Sequence, residues 1–152
     1  MVLGQSSVPY IDLPGLDNAN PNGTTGILIT TPHFGVSDIS GGANLGRTLT
    51  HEMGHFLGLE HLWGKRENAN CTTFDDYCSD TPSVSRRTGN CKNTPITSCS
   101  GETILTQNYM DYTKDTCMNM FTIDQGIRMR YVLKNSIVRK TLITSTAISR
   151  NQ

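Results

Sequence analysis

The fold is decided by one stretch of the sequence, His51-Glu52-Met53-Gly54-His55-Phe56-Leu57-Gly58-Leu59-Glu60-His61, which reads H-E-x-x-H-x-x-G-x-x-H. On a helix, His51 and His55 lie one turn apart on the same face, so both imidazoles can reach one metal ion. Glu52 lies beside that face, where it can take a proton from water that the metal activates. A continuous helix would carry His61 away from His55. Gly58 therefore predicts a left-handed helix end that turns the chain back toward the metal.

This pattern predicts a catalytic zinc site with His51, His55 and His61 as ligands. Three neutral imidazoles leave the fourth tetrahedral position of zinc open, whereas structural zinc sites fill all four positions with protein ligands. Adding Gly58 and His61 to a bare H-E-x-x-H makes a chance match rarer by roughly two to three orders of magnitude. The spacing thus disfavours both a helix with incidental surface histidines and a zinc-stabilised structural module.

Length and charge narrow the class of protein. A chain of 152 residues fits one domain, and no internal repeat or second-domain boundary is visible. Thirteen basic and thirteen acidic residues balance, so nothing indicates a nucleic-acid or membrane-surface partner. No apolar run approaches the length of a membrane span, and residues 1–5 lack the features of a signal peptide. Such an absence does not argue for the cytoplasm if the chain is a mature or trimmed one.

All five cysteines follow the zinc motif: Cys71, Cys78, Cys91, Cys99 and Cys117. None forms C-x-x-C, and the histidines already supply a zinc site, so disulfides are favoured over a thiolate metal site. We therefore expect an oxidising compartment and a secreted, extracellular protein. Because five is odd, at least one thiol is left over or pairs between molecules. Five buried free thiols are the alternative.

Periodicity predicts a few short elements before the motif. A short strand is expected near Val8–Leu13, and the clearest strand covers Gly26–Thr31. The zinc helix is predicted to start near Asn44 as N-cap. Its core face is predicted to carry Leu45, Leu49, Met53 and Phe56. The lone fourth histidine, His33, is left out of the site.

After the motif, about forty residues lack helical or strand periodicity. Disulfides between the cysteines would constrain this segment in place of regular secondary structure. Asp75, Asp76 and Asp80 form an acidic cluster there, which is either a solvated loop or a calcium site built from carboxylate and backbone oxygens. The last helix is predicted to begin at Thr122, with Gln125 completing a capping box. Its apolar side is predicted to consist of Ile123, Ile127 and Tyr131.

The extended zinc motif, a methionine in a tight turn some fifty residues later and a C-terminal helix together resemble the metzincin clan of zinc peptidases. From about residue 24 onward the chain is similar, more narrowly, to the pappalysin family and its small bacterial members of the ulilysin and cytophagalysin types. Four further stretches carry this resemblance: His61-Leu62-Trp63-Gly64, residues 75–82 (DDYCSDTP), residues 107–112 (QNYMDY) and residues 117–122 (CMNMFT).

The resemblance implies an α+β zinc peptidase domain over residues 1–152. Residues 1–58 would form a partial upper subdomain that contains the zinc helix. Residues 59–152 would form an irregular, disulfide-stapled lower subdomain that ends in a helix. The expected activity is zinc-dependent endopeptidase cleavage of peptide or protein substrates by zinc-activated water, with Glu52 as general base and acid. Met110 would be a hydrophobic floor beneath the metal. Tyr112 would stabilise the oxyanion, a surface tyrosine being the alternative.

The resemblance also implies disulfides Cys71–Cys99 and Cys91–Cys117, with Cys78 as the spare thiol. Family members bind calcium in the cysteine-rich region, which favours a calcium site around Asp75, Asp76 and Asp80. Small members prefer a basic residue after the cleaved bond, and Asp115 is the candidate partner for it. Asp111 and Glu102 are the alternatives.

The chain departs from the family at its N-terminal side. Family catalytic domains carry several strands and a backing helix before the edge strand, so the twisted sheet is expected to be N-terminally truncated. Residues 5–13 would correspond to the edge strand and residues 26–31 to the next strand inward. We therefore expect exposed apolar surface near Leu45 and Leu49. The alternative function is a catalytically inactive remnant that binds zinc or peptide. The oligomeric state stays open.

Overall fold

The computed structural model describes residues 2–16, 25–67, 75–91 and 95–146. Within these ranges the chain forms strand β1 (Gly4–Ser6), strand β2 (Ile27–Ile29), helix α1 (Arg47–Phe56) and helix α2 (Ile123–Asn135). Single 3₁₀ turns cover Thr31–His33 and Lys140–Leu142. None of the described helices is both long and apolar enough to cross a membrane. The division into subdomains at residue 58 stays a prediction.

Strands β1 and β2 pair antiparallel, with Gln5 opposite Leu28. The predicted strand at Gly26–Thr31 is therefore confirmed in its central part. The predicted strand near Val8–Leu13 is wrong, because pairing ends at Ser6 and the chain then runs irregularly. Pro9 and Pro14 have no backbone N–H to donate, which disfavours continued pairing across that segment.

One edge of β1 is free in the described structure. The backbone N–H of Thr30 donates to the carbonyl of Leu3 at 3.0 Å, and that of Ser7 donates to Gly26 at 3.0 Å. Hydrogen-bonded and non-bonded pairs alternate along an antiparallel ladder, so the backbone groups of Gly4 and Ser6 point to the opposite edge. These groups can accept another extended chain.

Helix α1 begins at Arg47 with Gly46 as N-cap, not at Asn44 as predicted. Gly46 is left-handed, with a φ of 79°, and offers no side-chain cap. The carboxylate of Asp115 supplies the missing acceptor, since its Oδ2 receives the N–H groups of Leu45 at 2.8 Å and Arg47 at 3.2 Å. Asp115, which is distant in the chain, therefore caps the start of α1 in place of Asn44.

The buried face of α1 is the face that carries the site. His51, Glu52 and Gly54 are buried, while Leu45 and Met53 are 39% and 40% exposed. The prediction that Leu45, Leu49, Met53 and Phe56 enter the core is thus wrong at Leu45 and Met53. The expected exposed apolar surface is confirmed at Leu45.

A hydrophobic cluster begins within the zinc motif and combines buried residues from three parts of the chain: Leu59, Leu62, Trp63, Cys78, Val84 and Met110. Cys91 and Cys117 form the predicted disulfide, and Cys78 is the predicted free thiol, buried in the cluster. Cys99 is disulfide-bonded, and its predicted partner, Cys71, lies outside the described residues. The irregular segment is therefore anchored both by apolar burial and by covalent bridges.

Helix α2 begins with the predicted capping box: Thr122 Oγ1 accepts from the N–H of Gln125, and Gln125 Oε1 accepts from the N–H of Thr122. The predicted apolar side does not face the core, because Ile123 and Ile127 are 78% and 58% exposed and Tyr131 is exposed as well. The helix instead buries Gln125, Arg128 and Val132. The side chains of Gln125 and Asn108 exchange two hydrogen bonds, which satisfies both amides.

Replacing Thr122 by Ala should lower the free energy of unfolding by about 1 kcal/mol, because one N–H at the start of α2 loses its acceptor. Urea denaturation of the two proteins measures this difference. Thr122→Ser is the control, since it keeps the hydroxyl and should lie near the wild type. Equal stability of Thr122→Ala and the wild type would contradict the role of the cap.

Candidate metal centre

Helix α1 and the turn after it bring three imidazoles together. The Nε2 atom of His55 lies 3.1 Å from Nε2 of His51 and 3.1 Å from Nε2 of His61. All ligand atoms of the three residues lie within 4.8 Å of one another. Among the described residues, this is the one group of three or more potential ligands that converges in this way. The predicted ligand set therefore meets at one point.

Gly58 makes this convergence possible, as the sequence predicted. Its φ is 89°, in the left-handed region that side chains disfavour. Its N–H donates to the carbonyl of His55 at 2.9 Å, and the N–H of Leu59 donates to Gly54 at 2.9 Å. A Cβ at Gly58 would also come within 2.8 Å of Val132. The chain turns back here and delivers His61 to the other two imidazoles.

Backbone carbonyls fix which ring nitrogens carry protons. Nδ1 of His51 lies 2.6 Å from the carbonyl oxygen of Tyr109, and Nδ1 of His55 lies 2.8 Å from that of Leu59. A carbonyl only accepts, so each Nδ1 donates and each Nε2 keeps its lone pair for a metal. The third ring, His61, stacks on Trp63 at a centroid distance of 4.4 Å. All three orientations are thus held from outside the metal site.

Burial keeps these histidines neutral. Desolvation is the main cause that lowers the pKa of His51 to about 3, and repulsion from His55 adds to it. Desolvation likewise lowers the pKa of His61 to about 2, with added repulsion from His55 and His51. Burial also lowers the pKa of His55. Three lone pairs facing one another repel unless a cation lies between them. Tetrahedral zinc with bonds of about 2.0–2.1 Å would hold its nitrogens about 3.3 Å apart, so the residues fit zinc.

Glu52 lies next to the imidazoles, as predicted. Its side chain is buried, and burial raises its pKa above the ordinary value for glutamate. It lines a cavity of about 500 Å³ together with His51 and Tyr112. Gly4 of β1 lines the same cavity, and a Cβ there would lie 2.7 Å from Cγ of Glu52. A glycine therefore allows the edge strand to approach the carboxylate closely.

Met110 lies against α1, and Tyr112 lies against two of the imidazoles. Met110 is fully buried, and its sulfur contacts the backbone of Gly54 in α1, which agrees with a floor beneath the site. The ring centroid of Tyr112 lies 5.2 Å from that of His51 and 4.8 Å from that of His61. Burial, and then the charge of Glu52, raises the pKa of Tyr112. The catalytic role of Tyr112 stays a prediction.

The three aspartates predicted to bind calcium each accept hydrogen bonds from other residues. Asp75 accepts from the N–H of Tyr77 at 2.6 Å, and Asp80 accepts from the N–H of Asp124 at 3.0 Å. Asp76 is buried and accepts from Thr81 Oγ1 at 2.7 Å, while burial raises its pKa to about 6. Their carboxylates do not form a converging ligand group in the described structure. The calcium site stays a prediction.

The three acids considered for binding a basic substrate residue lie in different places. Asp115 lines the 500 Å³ cavity beside His51 and Glu52. Asp111 is buried and accepts from the N–H of Thr88 at 2.9 Å. Glu102 is exposed and accepts from Ser100 Oγ at 2.7 Å. Geometry therefore favours Asp115 among the three.

Sequence reasoning missed several contributors to the site. The carbonyls of Tyr109 and Leu59, which orient His51 and His55, have no side-chain signature, so no sequence signal could have found them. Gly4 carried one signal, since a glycine in a strand often marks a close backbone approach. Trp63 carried a weaker one, because an aromatic residue just after the third ligand is well placed to stack on it.

Three converging imidazoles beside a buried glutamate agree with the zinc site expected of a metzincin-type peptidase. The chain belongs to the peptidase M43 family, described as pregnancy-associated plasma protein-A, whose sequence profile matches residues 35–134. This membership confirms the predicted metzincin-type, pappalysin-like α+β fold.

Curated relatives are named extracellular metalloproteases. One from Arthroderma benhamiae is 39% identical over 115 residues, which are 73% of this chain and 41% of that protein. Extracellular metalloprotease 1 from Coccidioides posadasii is 40% identical over 119 residues, which are 74% of this chain and 40% of that protein. The chain thus spans less than half the length of these relatives.

Solved structures from Tannerella forsythia share the fold. Mature mirolysin in complex with a cleaved peptide matches with a TM-score of 0.74 and 35% identity, over 91% of this chain and 50% of that chain. The promirolysin mutant E225A matches with a TM-score of 0.79 and 31% identity, over 98% of this chain and 48% of that chain. The match therefore extends over nearly all of this chain and about half of either mirolysin chain.

Zinc binding near pH 6 should release few protons. Three imidazoles with the ordinary pKa of 6.5 would release roughly two protons at that pH. Here the pKa values of His51 and His61 lie far below 6, so these rings are already neutral. Calorimetry in buffers of different ionisation enthalpy should give fewer than about one proton.

The control for this measurement is an isolated peptide of residues 51–61, in which no fold buries the imidazoles. That peptide should show the ordinary proton release. A similar release from the folded protein would contradict the burial-driven neutrality of the ligands.

Proposed function

We propose that this chain carries the active site of a zinc-dependent endopeptidase that hydrolyses peptide bonds in peptide or protein substrates. The observation that carries the proposal is the convergence of three Nε2 atoms beside the buried carboxylate of Glu52, at a cavity of about 500 Å³. Membership of a peptidase family supports the same reaction.

His51, His55 and His61 would hold the zinc. When bound, zinc would polarise the scissile carbonyl and lower the pKa of water toward neutrality. Glu52 takes the proton from the attacking water and delivers it to the leaving amine. Burial raises the pKa of Glu52, which brings a carboxylate closer to the value that suits transfer in both directions near neutral pH.

Tyr112 is proposed to stabilise the oxyanion that forms on the scissile carbonyl. Its ring lies against the rings of both His51 and His61. A raised pKa keeps the phenol protonated, so it can donate a hydrogen bond to developing negative charge.

The substrate is proposed to bind as an added strand along β1. The outward backbone groups of Gly4 and Ser6 offer a hydrogen-bonding edge next to Glu52. Glu52 and Tyr112 line two cavities, one of about 500 Å³ and one of about 220 Å³. An extended peptide along the edge could therefore place side chains before and after the cleaved bond.

The protein is proposed to be secreted. Its curated relatives are named extracellular metalloproteases, and the Cys91–Cys117 disulfide is typical of an oxidising compartment.

Replacing Glu52 by Gln should abolish casein cleavage while zinc remains bound one to one, because the proton acceptor is removed and the ligands are kept. We expect a loss of about 10²–10⁴-fold in kcat. Cleavage of a fluorogenic peptide and metal analysis of the purified protein measure the two quantities, with chelator-treated wild type as the metal-free control. If the wild type and Glu52→Gln are equally inert with full zinc content, an inactive zinc-binding remnant is the better description.

Asp115 is proposed to favour a basic side chain after the cleaved bond. One oxygen already accepts from the N–H groups of Leu45 and Arg47, and the carboxylate still lines the cavity next to His51. Arg87 and Lys114 line the same cavity and oppose this preference. The charge of Asp115 therefore decides whether a cation is accepted there.

Asp115→Asn should lower kcat/KM for peptides with Arg after the cleaved bond by about 10-fold relative to peptides with Ala there, since a charged hydrogen bond becomes a neutral one. The asparagine oxygen can still accept from Leu45 and Arg47, so the start of α1 is preserved. Glu102→Gln is the matched control and should change neither substrate. An equal loss for both peptides in Asp115→Asn would show a structural role only.

A further inference from the structure

A buried guanidinium lies at the C-terminal end of the zinc helix. Arg128 of α2 is only 7% exposed, and its Nε donates to the carbonyl of Gly58 at 2.7 Å. Its Nη2 donates to the carbonyl of Pro14 at 2.6 Å, and the group lies 5.2 Å from the ring centroid of Tyr77. Across the described ranges no carboxylate forms an ion pair with it. Its hydrogen-bonded partners there are therefore backbone carbonyls.

The hydrogen bond from Arg128 to Gly58 affects two of the metal ligands through the backbone. Gly58 is the left-handed residue that turns the chain toward His61, three residues on. Because the peptide between Gly58 and Leu59 is planar, holding the carbonyl of Gly58 fixes the plane from which Leu59 continues. The carbonyl of Leu59 accepts from Nδ1 of His55 at 2.8 Å. One side chain thus restrains the supports of two of the three imidazoles.

The charge of Arg128 strengthens this restraint. Gly58 lies just past the C-terminal end of α1, where the partial negative charge of the last helical carbonyls favours a nearby cation. Hydrogen bonds from a charged donor contribute more than neutral ones, especially away from water. The contact at 2.7 Å has the length expected of such a bond.

We propose that Arg128 is a positioning residue for the zinc site, which holds the Gly58 turn in the conformation that directs His55 and His61 at the metal. The inference rests on the proposed zinc centre and deepens it. Arg128 does not touch the metal or the substrate in this role. It acts through the backbone of residues 58 and 59.

Arg139 offers a matched control on the same C-terminal segment. It is 1% exposed, donates from Nε to the carbonyl of Phe56 at 3.1 Å and from Nη2 to Ser7 at 3.1 Å, and lies over the ring of Phe56. Like Arg128, it is a buried cation that binds two backbone carbonyls. Its contact on α1 comes before the Gly58 turn and leads to neither Leu59 nor His61.

The experiment compares Arg128→Met and Arg139→Met with the wild type. Zinc affinity is measured by competition with a chromophoric chelator, and the ligand field is measured by absorption of the cobalt-substituted protein. We expect Arg128→Met to weaken zinc binding by about 10- to 100-fold and to change the cobalt spectrum, as for other groups that orient metal ligands. Arg139→Met should shift zinc affinity by less than about threefold and leave the spectrum unchanged.

Thermal unfolding of the metal-free proteins separates positioning from general stability. Both variants lose a buried cation with two carbonyl partners, so their metal-free stabilities should fall by similar amounts. Equal losses of zinc affinity in the two variants, or an unchanged cobalt spectrum in Arg128→Met, would overturn the proposal.

If Arg128→Met does not fold, Arg128→Lys provides the test, because an ammonium can reach one carbonyl but cannot span both. An unchanged zinc affinity and spectrum in Arg128→Lys would then overturn the proposal. These readouts do not depend on turnover. A wild type that binds zinc but cleaves no peptide would refute the proposed function without refuting the role of Arg128.

Discussion

The structure of the site depends on one backbone conformation, the left-handed turn at Gly58. A residue with a side chain would be strained at a φ of 89° and would also press on Val132. Without the turn, α1 would carry only two imidazoles on one face, and a metal held by two ligands would be bound weakly. The contacts that close around the turn, from Gly54, His55 and Arg128, all involve backbone atoms. The geometry is therefore protected from most side-chain changes except at the glycine and the arginine.

The zinc helix is short, and residues far along the chain complete it at each end and from beneath. Asp115 caps its start, Met110 packs under Gly54, and the carbonyl of Tyr109 orients His51. All three come from residues 109–115, next to the Cys91–Cys117 disulfide. That segment cannot move away from α1 without disturbing a cap, a core contact and a ligand together. Hence the irregular half of the chain is as much a part of the metal site as the helix that bears the motif.

The sequence predicted the structure well where the interacting residues lie close together in the chain. The convergence of His51, His55 and His61, the Gly58 turn and the Thr122–Gln125 capping box follow from spacing within a few residues, and the structure contains all three. Predictions failed where distant contacts decided the outcome. Asn44 looked like the N-cap of α1, but Asp115 reaches the helix from 70 residues away.

Contacts between distant residues also explain why the buried faces of the two helices differ from those predicted. Periodicity assumed that apolar side chains mark the buried side, yet α2 buries Gln125 and Arg128 because Asn108 and two carbonyls satisfy them. Such polar partners are supplied by the tertiary fold, so no window of sequence around α2 contains them. In α1, similarly, the buried residues are His51 and Glu52 because the site itself is the packed side.

Burying the polar face of α1 has a chemical consequence that burying its apolar face would not have. Desolvation disfavours charge of either sign, so it lowers the pKa values of His51 and His61 and raises that of Glu52. The first effect keeps the ligands neutral and ready for a metal, while the second makes a carboxylate a better proton acceptor. One physical cause therefore suits both the ligands and the general base of the proposed hydrolytic site. Leu45, just before α1, and Met53, within it, stay partly exposed, so burial in this region is concentrated at His51 and Glu52.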